Sequence, residues 1–245
     1  MKKTTKALLL TLCAVLLVAA SVMGTMAYLT ASDSVKNTFT VGNVRINLDE
    51  AKVNENGTPV EGAARVKENR YKLIPGVTYT KDPTVTVLNG SVESYVRMKV
   101  TFNNAEKIIA MCTDPEFAGG DPTGVENAYP LIRMVNFVEA NAAKWDGIPD
   151  NMVEIEDMLA DSKYFTYDAA ANTLTYTFYY TEKVAAPNGD VKLAVLFDSV
   201  TLPEWVTGEQ LDGLNNFQIS VVAEAIQADG FETEAAAWAA FDAQK

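Results

Sequence analysis

The sequence predicts an all-β protein, a jelly-roll-like antiparallel β-sandwich with helical insertions and a C-terminal helix. Three observations predict it. Short segments alternate apolar and polar residues at the period of a half-buried strand, as in Val96, Met98, Val100 and Phe102 against Arg97, Lys99 and Thr101. Turn signals punctuate these segments: Asn89-Gly90, Asp168 to Asn172, and Asn188-Gly189-Asp190. One long stretch, 104–163, loses the strand rhythm and carries helical spacing instead. Many short strands with turns between them are the pattern of a sandwich.

The chain opens with an export signal. Lys2, Lys3 and Lys6 form a positive leader, and Ala7 to Met23 is apolar except for Thr11 and Ser21. Thr25-Met26-Ala27 supplies the small-x-small site that a signal peptidase cuts, which predicts cleavage between Ala27 and Tyr28. The apolar run is shorter than the ~20 residues of a spanning helix, which favours cleavage over retention. Cys13 lacks the small preceding residue of a lipidation site, since Leu10-Thr11-Leu12 stands there. The organisation is then a signal peptide at 1–27, an N-terminal arm at 28–38 and a sandwich domain at 39–245.

The arm is polar and too short to fold alone, but Tyr28, Leu29, Ala31 and Val35 give it apolar contacts to offer. The first strand follows at Asn37 to Leu48. Phe39 and Val41 share a face, and Val44, Ile46 and Leu48 resume the alternation after a bulge at Gly42. Asp49 to Arg70 reads as a polar loop or β-excursion, and Pro75-Gly76 as a turn. Thr78 to Val87 alternates strongly. Pro83 cannot donate to a ladder, so this strand is expected at an edge or at a bulge. Asn89-Gly90 then predicts a hairpin into Ser94 to Asn103.

Within the insertion, Met152, Ile155, Met158 and Leu159 recur at helical spacing. Strands return at Tyr164 to Tyr167 and Thr173 to Thr181, with Leu174, Tyr176, Phe178 and Tyr180 on one face. Val191 to Phe197 reads as a buried strand and Leu214 to Ile226 as the last one. Glu232 to Ala243 is helical by composition, with Trp238 and Phe241 set to cap one end of the sandwich.

Composition narrows the function. Removing three of the 20 basic residues with the signal leaves 17 against 32 acids, a formal charge of −15. Such a surface repels nucleic acid and anionic lipid, so neither nucleic acid nor, after processing, a membrane is an expected partner. Cys112 is the only cysteine beyond the signal, which rules out an intrachain disulfide. There is no histidine. An HExxH zinc site, a Ser-His-Asp triad and a Cys-His pair are thereby excluded, and the expectation is no catalytic residue, no metal ligand set and no cofactor. The acidic segment Asp114, Glu116, Asp121 and Glu126 lacks EF-hand spacing and reads as a solvated loop. Tyr164, Tyr167, Tyr176, Tyr179 and Tyr180 would suit sugar stacking if exposed, or sheet stabilisation if buried.

The signal, the aromatic Tyr28 after Ala27, and the strand Asn37-x-Phe39-x-x-Gly42-x-Val44-x-Ile46 resemble the camelysin/TasA family of Gram-positive bacteria. Leu73-x-Pro75-Gly76, Lys81 and Asn89-Gly90-Ser91 resemble its second signature. The resemblance covers roughly the first hundred residues and, more loosely, the last strand; the middle carries no motif that aligns. It implies export through a dedicated signal peptidase and a place in the extracellular or cell-surface matrix. It also implies self-assembly into biofilm fibres. The expected function is a secreted, non-enzymatic fibre subunit whose arm is donated head to tail to the next copy. A secreted binding module for glycan or protein is the alternative. A metalloprotease rests on the family's label alone, and the missing histidines argue against it.

Overall fold

The computed structural model describes residues 30–33, 37–38, 43–112, 130–149, 157–214 and 216–244. Every strand pairing in it is antiparallel. The strands are β1 (Thr30–Asp33), β2 (Asn37–Thr38), β3 (Ile46–Asp49), β4 (Thr78–Thr80), β5 (Thr84–Val87), β6 (Ser91–Asn103) and β7 (Val135–Phe137). After them come β8 (Trp145–Asp146), β9 (Phe165–Asp168), β10 (Thr173–Tyr180), β11 (Val184–Ala186), β12 (Val191–Lys192), β13 (Phe197–Thr201) and β14 (Ile219–Gln227). Helices α1 (Ala105–Cys112), α2 (Pro130–Met134), α3 (Gly208–Asp212) and α4 (Glu234–Asp242) join them.

The large sheet runs β2-β1-β14-β6-β10-β8, with β11 on β6 and β9 on β10. Two small sheets, β12-β5-β3 and β4-β13-β7, complete the fold. Residues from all three sheets share one core. The period-two expectation holds best at its centre: Val96, Met98, Val100 and Phe102 of β6 and Tyr176 and Phe178 of β10 are fully buried. Phe102 and Tyr176 meet edge-on at 5.9 Å between ring centres. Burial of each such side chain is worth about 1.5–3 kcal/mol.

The 168–172 segment forms the expected β9–β10 hairpin, and Asn172 takes the left-handed conformation with φ 53°. Elsewhere the neighbours differ from those predicted. Asn89-Gly90 turns the chain, with Gly90 at φ 86°, but β5 and β6 do not pair. The turn is a corner that hands the chain from a small sheet to the large one. Pro83 likewise splits Thr78 to Val87 into β4 and β5, which lie in different sheets. Asn37 to Leu48 is also divided: Asn37–Thr38 pairs with β1, whereas β3 pairs with β5. Phe39 and Val41 lie outside the described residues. In the stretch read as a buried strand at Val191 to Phe197, β12 is exposed and the regular strand begins only at Phe197. The insertion carries α1 and α2, and its described residues also give β7 to one small sheet and β8 to the large one.

Helix α4 covers the outer face of the large sheet. Its Trp238 and Phe241 pack with Tyr95, Tyr179 and Ile226 in a second cluster. Thr233 caps its N-terminus by accepting from the Ala236 N–H at 3.2 Å.

Candidate assembly edge and groove

Strand β14 is the element on which the candidate site is built. Val221, Ala223 and Ala225 point to the core, and Glu224 and Ile226 to the α4 side. Along one flank β14 pairs with β6 from Ile219 to Gln227. Along the other it pairs with β1, and only over Ala223 to Ile226. Among the described residues no strand covers Ile219 to Val222 on that flank. An uncovered strand edge presents backbone donors and acceptors to any extended chain that arrives.

The register sets Thr30 opposite Ile226, Ala31 opposite Ala225 and Asp33 opposite Ala223. Of the predicted arm residues, Ala31 therefore lies in β1. Ala27, Tyr28, Leu29 and Val35 lie outside the described residues, as do the acidic segment from Asp114 to Glu126 and, of the residues expected at helical spacing, Met152 and Ile155. Pro83 sits at the break between β4 and β5, and β4 is an edge of its small sheet, as Pro83 suggested; the part-covered strand beside the arm is a different one, β14.

A groove of about 820 Å³ lies beside the uncovered stretch. Its apolar lining includes Phe217, Ile219 and Val221 from the β14 side and Leu48, Tyr79 and Leu202 opposite. The facing wall is the excursion between Glu50 and Lys72. Two bridges, Glu50 with Val66 and Val53 with Pro59, give it β character, as the sequence suggested. Arg65 fastens it. Its guanidinium donates to Asp82 Oδ2 at 2.7 Å and to Thr84 Oγ1 at 2.8 Å, and also pairs with Asp49. Burial lowers the Arg65 pKa, but the bonds to Asp82 and Asp49 outweigh it and leave the group raised and charged. Tyr79 fastens the end of the excursion, accepting from Ile74 N–H at 2.6 Å and donating to the Lys72 carbonyl at 2.8 Å.

The tyrosine-rich hairpin offers little for stacking. Tyr176, Tyr179 and Tyr180 are buried, and Tyr167 is the exposed member at 44%. Cys112 is a buried packing residue, and burial pushes its thiol up to about 12. Among the described residues no three acidic or cysteine side chains group as metal ligands, and no helix is long and apolar enough to cross a membrane.

No family model, curated protein or solved structure matches this chain.

The part of the site that sequence reading missed is the acceptor. The alternation of β14 was legible, because it reports which side chains share a face. It carries no information on which flank of the strand has a neighbour.

Proposed function

We propose that this protein is a secreted, non-enzymatic subunit of extracellular matrix fibres of a Gram-positive cell. It is a jelly-roll-like sandwich, freed by cleavage between Ala27 and Tyr28. Copies join head to tail: the arm of one subunit, residues 28–38, lies along β14 of the next. The observation that supports this reading is the antiparallel pairing of β1 with Ala223 to Ile226. A backbone ladder made within one chain can be made with the same bonds between two chains, so exchange costs little beyond association. In the donated form the arm runs straight on in the same register. Val35 then comes opposite Val221, over the stretch of β14 that β1 leaves uncovered. The contact is heterologous and does not close, so it propagates as a filament. The charge of −15 opposes close approach of copies, and cations that screen it favour assembly.

The test compares a chain that starts at Tyr28 with one that starts at Phe39. The long form polymerises, as seen by electron microscopy and size-exclusion chromatography. The short form stays monomeric and folded by circular dichroism. If both polymerise alike, or neither does at any salt or pH, strand donation is wrong.

A further inference from the structure

Three side chains in the groove wall form a constellation that fibre assembly does not use. Glu50 is 6% exposed. Lys81 Nζ sits 2.8 Å from Glu50 Oε2, with the lysine side chain only 12% exposed. Asn69 Nδ2 donates to the other oxygen, Glu50 Oε1, at 2.9 Å. The Asn69 carboxamide is held in one orientation, because Nδ2 also donates to the Ala51 carbonyl at 2.8 Å and Oδ1 accepts from the Val53 N–H at 3.0 Å. Tyr71 and Tyr79 pack edge-on nearby, with ring centres 5.7 Å apart. Burial, and then the Glu50 charge, raise the Tyr71 hydroxyl above its ordinary value. A buried ion pair is a poor source of stability compared with apolar packing, so its retention here calls for another reason.

We infer that Lys81 and Asn69 become joined by an intramolecular isopeptide bond, with Glu50 as the proton-transfer group. Glu50 bridges the two, with Oε2 on Lys81 Nζ at 2.8 Å and Oε1 on Asn69 Nδ2 at 2.9 Å. Glu50 Oε2 takes a proton from the Lys81 ammonium and frees the Nζ lone pair. Nζ attacks Asn69 Cγ, and the Val53 N–H stabilises the negative charge that gathers on Oδ1. Glu50 passes its proton from Oε1 to Nδ2, and a second Nζ proton follows by the same route. The Nζ–Cγ bond has formed, the Cγ–Nδ2 bond breaks, and the leaving nitrogen departs as ammonium. Glu50 ends as the carboxylate it was at the start. Nothing is oxidised or reduced, and no co-reactant is needed. The reaction happens once per chain, driven by proximity rather than turnover. Its product ties the excursion covalently to the end of β4, a natural reinforcement for a wall exposed to solvent and proteases.

The proposal stands apart from fibre assembly, and its test reads mass rather than polymerisation. The chain purified from the secreted fraction is denatured, weighed intact and digested with trypsin. The expected intact mass is lower than the sequence mass by one ammonia. The digest contains a branched peptide that joins the Asn69 segment to Lys81, and trypsin does not cut at Lys81. Lys81→Arg, Asn69→Ala and Glu50→Gln each restore the full mass. In Asn69→Asp the same bond forms with loss of water in place of ammonia. A wild-type chain at full sequence mass after prolonged incubation overturns the proposal, whether or not any variant folds. Ammonia loss that persists in Lys81→Arg also overturns it, because it reports a succinimide at Asn69.

Discussion

The guanidinium of Arg97 lies 4.3 Å from the centre of the Trp238 ring. The same group donates from Nε to Glu224 at 2.6 Å and from Nη1 to Asp242 at 3.0 Å. One side chain thus ties β6 to β14 and clamps α4 onto both. Burial alone would lower the Arg97 pKa, but the bond to Asp242 and the Glu224 charge outweigh it and leave the value raised. Arg97→Ala takes from the Glu224 carboxylate, which is 3% exposed, its 2.6 Å charged partner. Lys99, at 3.4 Å, answers only part of that charge. Loss of one partner of a buried pair costs about 3–5 kcal/mol, and Lys99 puts this one near the lower end. Urea unfolding should show that drop in midpoint at unchanged slope. The double variant Arg97→Met, Glu224→Leu should recover most of it; failure to recover would mean the pair is not the source.

Gly57 makes a sharper local prediction. It sits at φ 78°, and a Cβ there would come 2.7 Å from Tyr79 Cα. Backbone cannot yield as a side-chain tip can. Gly57→Ala should therefore cost about 2–4 kcal/mol, combining left-handed strain with overlap. Gly62, at φ 70° with nothing within 4 Å, is the control. Gly62→Ala should cost only about 1–2 kcal/mol. Limited proteolysis between residues 50 and 72 should accelerate in the first variant far more than in the second. Equal effects would show that the contact with Tyr79 is not what holds the excursion.

The contrast between these two sites bears on what a sequence can disclose. Faces were legible: the inward rows of β6 and β10 follow directly from a period of two. The β9–β10 hairpin was legible because both strands and their turn are contiguous. Neighbours were not. Asn89-Gly90 has the chemistry of a hairpin turn, yet it turns a corner between sheets, because φ preference sets the bend and not the partner of the next strand. Glu50 and Arg65 fell within a segment that read only as a polar loop or β-excursion, and Lys81 within a strand, with no pairing among them legible. They are buried or half-buried partners, drawn together across 17 residues for Arg65–Asp82 and 31 for Lys81–Glu50. Pro83 marked a break in pairing and an edge strand, β4, but carried no information on the flank of β14.

Cys112 links burial to pH. Its thiol moves from an ordinary value of 9.0 up to about 12, chiefly through burial. Between those values the unfolded chain releases the proton and the folded chain keeps it. Stability is therefore lost as pH rises through this window, by at most about 1.4 kcal/mol per unit. Tyr176, also raised by burial, adds to the loss but is shared by any Cys112 variant. Cys112→Ala should cost about 1 kcal/mol at neutral pH through the small cavity it leaves. It should then lose less than wild type above pH 9, so that the two curves cross. Urea midpoints from pH 7 to 11 test this, and a constant gap between the curves would refute it.

The last prediction follows from the register of β1 on β14. Ala31 and Ala225 are direct partners. Cys112 is the only cysteine past the signal and is 1% exposed, so a new pair of thiols would report without interference. In the variant Ala31→Cys, Ala225→Cys, oxidation of the monomer before assembly should join the two positions within one chain. That bond holds the arm on its own acceptor, and the locked chain should not form fibres. Reduction should release it and restore assembly. If fibres are grown first in reductant and then oxidised, the same two positions belong to successive subunits. Non-reducing gel electrophoresis should then show a ladder of covalent multimers. The cost of the extra sulfur at the buried Ala225 is about 1 kcal/mol, small enough to leave the fold intact. The single variants Ala31→Cys and Ala225→Cys should give no ladder. Fibres from the locked monomer, or oxidised fibres that run as single cross-linked chains, would show that β1 stays on its own subunit and that copies meet through some other surface.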